Sequence, residues 1–177
     1  MQVILSVGST SFPSLVNNFI SQPSLDALAQ LNPTTVTIQL GTQQLPSTLP
    51  KTPFKLIMKF FMPDLEQQIA NANLVITHAG AGSILSFIRS NSETTPTKRT
   101  LIIVPNDTLM DSHQADLADE MHNKGWAVVC RGPEDLAETL ERLSKTWNDE
   151  EARDGKADYP VFDKDRLTRI LDDTLGF

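Results

Sequence analysis

The chain has 177 residues, 40% of them hydrophobic and 21% charged, which is enough for one sizeable core in a globular protein. Its net charge of −7 argues against a nucleic-acid binder, which would carry a basic stripe, and against electrostatic adhesion to an anionic membrane. A single cysteine, Cys130, excludes an intramolecular disulfide; no window approaches the length of a membrane span, and "MQVILSVGSTSF" lacks the basic and long apolar regions of a signal peptide. The expectation is a cytosolic protein with a buried, inert Cys130.

Short β-branched runs alternate with longer amphipathic ones. A strand over Gln2–Val7 leads into "GSTSFP" and a helix over Ser14–Gln30; a strand over Thr35–Leu40 is followed by the Pro-, Thr- and Ser-rich loop Gly41–Pro53. A third strand, Phe54–Phe60, precedes a helix at Asp64–Asn71. A fourth, Asn73–Thr77, runs into "HAGAG" and a helix at Ser83–Arg89. After a second polar loop, Asn91–Arg99, comes a strand at Thr100–Val104. The loop "PNDTLMDSHQ" then enters a helix at Asp111–Lys124, which Gly125 suits for a left-handed cap. A strand at Trp126–Cys130 and a helix at Pro133–Trp147, opened by Pro and acids, complete the rhythm. Residues 148–177 begin as a charged linker and end in an amphipathic helix, Lys164–Leu175, with Leu167, Ile170 and Leu171 on one stripe.

Strand alternating with helix, with strands apolar nearly throughout, predicts a Rossmann-like, doubly wound and mainly parallel α/β sheet over residues 1–147. Ligands of such sheets bind beyond the carboxyl ends of the strands, where the strand order reverses. Three loops leave such ends. In the first, Gly8 gives tight backbone geometry, and Ser9, Thr10 and Ser11 offer hydroxyls and amides to phosphate oxygens; a plain strand-to-helix turn accounts for them equally well. Neither the dinucleotide nor the ATP fingerprint is present.

The second loop, "THAGAGS" from Thr77 to Ser83, is either a tight turn or an anion cradle. Gly80 and Gly82 permit close approach and unusual dihedrals, and a helix from Ser83 would aim free amides back at the loop. His78 either donates to a phosphate or sugar hydroxyl or merely caps and packs. The third loop gathers Asn106, Asp107, Asp111, His113 and Gln114. His113 and Gln114 suit a polyhydroxylated ligand, whereas Asp111 or Ser112 suits a helix cap. The histidines do not have metal-site spacing, and no metal or cofactor is expected. His122, Trp126 and Trp147 read as structural.

"LSVGSTSFPSLV", "ANLVITHAGAGSIL" and "IIVPNDTLMDSHQADLADEM", in this order and spacing, resemble the donor-binding subunit of the two-subunit UDP-N-acetylglucosamine transferases of the dolichol pathway. Those subunits are similar to the C-terminal half of MurG-type glycosyltransferases of the GT-B fold. The resemblance spans about Gln2 to Leu143. It implies one half of a GT-B enzyme that transfers GlcNAc from UDP-GlcNAc to dolichyl-diphosphate-GlcNAc by inverting, metal-independent chemistry. A membrane-anchored partner would recruit the acceptor at the cytosolic face of the endoplasmic reticulum, and the terminal helix would be a docking element.

Residue by residue, the resemblance places Gly8, Ser9 and Thr10 near the diphosphate. It gives His78, Ala79, Gly80, Ala81, Gly82 and Ser83 to diphosphate and nucleotide, and Asn106, Met110, His113 and Gln114 to the sugar. Ser86 stands where relatives commonly carry an acid for the ribose hydroxyls, so that contact is weakened or relocated; Pro13 replaces a commonly acidic residue. No residue is convincing as general base, which implicates the partner chain. A UDP-GlcNAc epimerase and a non-enzymatic nucleotide-sugar adaptor are the competing readings.

Overall fold

The computed structural model describes residues 1–46, 48–90, 98–106 and 113–149, with only the backbone of His113. Among these residues six strands form one sheet: β1 (Gln2–Ser6), β2 (Thr35–Gln39), β3 (Lys55–Lys59), β4 (Leu74–His78), β5 (Thr100–Val104) and β6 (Val128–Val129). Their spatial order is β3-β2-β1-β4-β5-β6 and every pairing is parallel. The chain winds outward from β1 to β3, then crosses back to β4 beside β1. The order therefore reverses between β1 and β4.

Alternation along each central strand divides the core in two. Val3, Leu5, Leu74, Ile76, Ile102 and Val104 face one side, under α1 (Pro13–Phe19), α2 (Gln22–Gln30) and α6 (Leu136–Thr146). Ile4, Val75, Leu101 and Ile103 face the other, under α3 (Leu65–Asn71), α4 (Ala81–Arg89) and α5 (His113–Asn123). Phe19 and Phe87 are among the largest fully buried side chains, one in each layer. Burial of such a group contributes about 1.5–3 kcal/mol. At the edges, β3 exposes Lys55 and Lys59, and β6 has only two residues.

The expected single helix over Ser14–Gln30 is two. Helix α1 stops at Phe19, Ser21 takes extended backbone and donates its Oγ to Asn18 O at 2.7 Å, and α2 restarts with Pro23 in its first turn. Proline lacks an amide proton, so it is tolerated in a first turn and disruptive in a helix interior. The helix expected over Pro133–Trp147 likewise opens with a 3-10 turn at Pro133–Asp135 before α6.

Gly125 does adopt left-handed backbone, with φ +68°, and its amide donates to His122 O, closing α5. Cys130 is buried, donates Sγ to Gly132 O, and burial pushes its thiol pKa up, so it behaves as a packing group. Arg99, at the end of a loop expected to run over the surface, is instead 4% exposed. Its guanidinium donates to Ile69 O, Ala72 O, Phe87 O and Ser90 Oγ and lies 4.1 Å from the Phe87 ring centroid. It thereby ties together the carboxyl ends of α3 and α4, where free carbonyls favour a cation.

Candidate nucleotide-sugar site at the sheet switch point

The loops after β1 and β4 leave adjacent strands on either side of the reversal, the place where an open α/β sheet forms its ligand crevice. They touch through His78. Gly8 has φ +70°, which L side chains rarely adopt, and a Cβ there would come within 2.7 Å of His78 Cε1. A Cβ at Gly80 would collide with His78 Nε2. The imidazole is therefore wedged between the two glycines, and both halves of the expected diphosphate set meet on one side chain.

Helix α4 begins at Ala81, two residues earlier than expected, so Gly82 and Ser83 lie in its first turn. Gly80 precedes it with φ −78° and ψ 121°, and no side chain caps the helix. The freedom to take unusual dihedrals is not used at Gly80 or Gly82: positive φ among the described glycines is confined to Gly8, Gly41 and Gly125. Gly82 is exposed, and a Cβ there would meet nothing within 4 Å. The first-turn amides of a helix have no intrahelical partner and carry the positive end of its dipole. Ala79 and Ser83 turn their side chains into the protein, so any ligand contact they make is through the backbone.

His78 is partly buried, and its Nδ1 is buried without a hydrogen-bond partner. Burial pulls its pKa below the ordinary value near 6.5, with the Ser6 backbone acting weakly in the opposite sense. The neutral ring is favoured at neutral pH. In the first loop Ser9 and Thr10 are exposed, and Thr10 Oγ1 donates to Val7 O at 3.1 Å, so that proton is already used.

On the β5 side, Asn106 is buried and its backbone N–H donates to Gln114 Oε1 at 3.3 Å, which brings these two expected sugar-binding residues together at the entry to α5. Met110 lies outside the described residues, as does the side chain of His113. Among the described residues no group of three His, Cys, Asp or Glu could hold a metal ion, and no helix is long and apolar enough to cross a membrane.

Three features of this rim escape the sequence reading. Gln39, at the end of β2, is buried and bonds to the backbone of Gly8 and Phe60. Phe60 and Phe61, just past β3, are 52% and 76% exposed on the carboxyl side of the sheet. Glu66, in the first turn of α3, places Oε1 3.4 Å from Ser86 Oγ, which also donates to Gly82 O at 2.9 Å. Exposed paired phenylalanines were a visible signal in "KFFMP"; the other two arise only from the juxtaposition of elements.

The architecture is that of one half of a GT-B glycosyltransferase. It superposes on MurG of Acinetobacter baumannii with a TM-score of 0.61 at 21% identity, covering 86% of this chain and 42% of that one. Residues 2–166 match the model of the glycosyltransferase family 28 C-terminal domain, and the chain belongs to that family. It is 27% identical over 204 residues to "UDP-N-acetylglucosamine transferase subunit ALG13" of Cryptococcus neoformans, covering 99% of this chain and 96% of the relative. It is 33% identical over 129 residues to the human protein of the same description, across 72% of this chain and 11% of the human one. The solution structure of an ALG13 superposes with a TM-score of 0.62 at 25% identity, covering 99% of this chain and 96% of that one. The resemblance carried by the three loops is borne out.

Proposed function

We propose that this chain is the donor-binding subunit of a UDP-GlcNAc transferase. It would hold UDP-GlcNAc while GlcNAc passes to dolichyl-diphosphate-GlcNAc presented by a membrane-anchored partner at the cytosolic face of the endoplasmic reticulum. The observation that carries this reading is the junction at the switch point: two small-residue loops packed on His78, beside an uncapped helix start whose Gly82 faces open space. The diphosphate would sit on the amides of Ala81, Gly82 and Ser83, with Gly8, Ser9 and Thr10 closing the other side. Gln114 and Asn106 would face the sugar. The exposed Phe60–Phe61 pair offers an aromatic surface to the uracil, since any base can stack on such a face. The ribose contact that Ser86 lacks a carboxylate for would be shared with Glu66, which stands beside it.

During transfer the acceptor hydroxyl attacks the anomeric carbon, and negative charge grows on the departing UDP. Amides already aimed at that charge stabilise the transition state by about 3–4 kcal/mol per well-placed donor. The general base would come from the partner, and the stretch 148–177 would dock onto it. The names of the relatives, each a subunit of a UDP-N-acetylglucosamine transferase, support the donor and the need for a second chain. The test is titration of the full chain with UDP-GlcNAc and UDP, followed by a GlcNAc-transfer assay after co-purification with membranes. Saturable binding and transfer dependent on the membrane fraction are expected. Absence of binding to both ligands, or epimerised sugar from the chain alone, would overturn the proposal.

A further inference from the structure

One rung of the sheet lies directly beneath the candidate site: Thr77 of β4, Ser6 of β1, Gln39 of β2 and Lys59 of β3 are aligned in register. The inner three are buried and polar, and apart from Thr37 of β2 and Thr100 of β5 the other buried strand positions among the described residues are apolar. Thr77 Oγ1 donates to Ser6 O at 3.1 Å, and Ser6 Oγ donates to Gln39 Oε1 at 2.8 Å. The Gln39 amide then uses its full bonding capacity. Oε1 also accepts from Gly8 N at 3.0 Å, while Nε2 donates to Gly8 O at 2.6 Å and to Phe60 O at 3.1 Å. Two backbone carbonyls on one side and a backbone amide on the other fix which end is oxygen and which nitrogen.

A buried glutamine is costly unless all its groups are paired, and here three of the four pairings land on backbone that bounds the site, the fourth being to Ser6 Oγ. Gly8 N and O are clamped together, which holds the left-handed turn against His78. Phe60 O is held as well, with Gly41 N donating to it at 3.0 Å. We infer that Gln39 is a positioning residue: without touching ligand, it locks the diphosphate side of the rim at Gly8 and the aromatic side at Phe60 to one another. This rests on the nucleoside-diphosphate reading of the site. No other side chain supplies two donors and two acceptors at this reach. Asparagine is a methylene too short, glutamate lacks the donors, and methionine keeps only the shape.

The experiment compares the wild-type full chain with Gln39→Met and with Leu143→Val, a core change in α6 remote from the rim. Amide hydrogen exchange and UDP titration are read on each. In Gln39→Met, exchange at residues 7–10 and 59–61 should quicken about tenfold while α6 and β5 keep their protection. UDP affinity should fall about tenfold or more, since small displacements of a preorganised site are amplified in binding. Leu143→Val should lower the unfolding temperature and leave both readouts at wild-type values, which separates positioning from general stability. Unchanged exchange at the two turns, or unchanged UDP affinity in folded Gln39→Met, would overturn the inference. Should wild type fail to take up UDP, the nucleotide reading falls, and local exchange alone decides whether Gln39 clamps the rim. If Gln39→Met does not fold, Gln39→Asn replaces it with the same expectations.

Discussion

Gly80 and Gly82 sit two residues apart on either side of the start of α4, yet the fold needs only the first. A Cβ at Gly80 has nowhere to go, because the His78 ring occupies its space; at Gly82 a side chain would extend into nothing. Gly8 falls with Gly80, through both its backbone angle and its contact with the same ring. Of these three, Gly82 alone lacks a packing or backbone reason among the described residues, and under the proposed function a glycine in the first turn of an uncapped helix would leave room for an approaching anion. Substituting the two kinds of glycine separates architecture from ligand.

The largest effect is expected at Gly80→Val, which must displace His78 and separate the two loops. Unfolding in urea should show a loss of about 1–3 kcal/mol, typical of overpacking in a buried site, with UDP binding lost in parallel. Gly82→Val sharpens the contrast: its unfolding free energy should stay within about 1 kcal/mol of wild type, because a helical interior prefers valine to glycine only slightly. Its UDP affinity should nonetheless drop at least tenfold. A Gly82→Val chain that is folded and binds normally would place the anion elsewhere. Gln114→Ala should act on one ligand and spare another: weaker UDP-GlcNAc binding by about 1 kcal/mol, the worth of one hydrogen bond, with UDP unchanged in calorimetric titration.

The smallest effect concerns His78. Its folded pKa lies below its ordinary value near 6.5, so the unfolded chain binds the proton more readily. Stability from this group is therefore present above about pH 6.5 and is lost as pH falls through the lowered folded value. Thermal unfolding scanned from pH 7.5 downward should show a decline that His78→Gln lacks. An identical decline in both chains would free His78 from its wedged role.

The sequence displays the fold plainly where both faces of a strand are covered. "VILSV" and "LIIV" are apolar because each sits between two helical layers, and their alternation with amphipathic runs announces the parallel sheet. "HAGAG" announces a helix start for equally local reasons. The break at Ser21 is harder to read, since Pro23 is compatible with a first turn as well as a kink and the apolar pattern continues across it. Gln39 is opaque for a different reason. In "TVTIQL" it occupies an ordinary polar slot of an alternating strand, and its meaning comes from Gly8 and Phe60, 31 and 21 residues away. Glu66 and Ser86 are similarly joined only by the packing of α3 against α4.

The two ends of the sheet have a consequence for solubility. A parallel sheet left open on both sides invites further strands to add, and identical chains would then stack edge on edge. Here one margin is cut to the two residues of β6, too short to template anything, and the other places Lys55 and Lys59 along β3, whose like charges would face each other in any self-paired copy. Growth by backbone pairing of identical chains is thereby discouraged at either margin, so a sheet that is open in topology is closed to copies of itself.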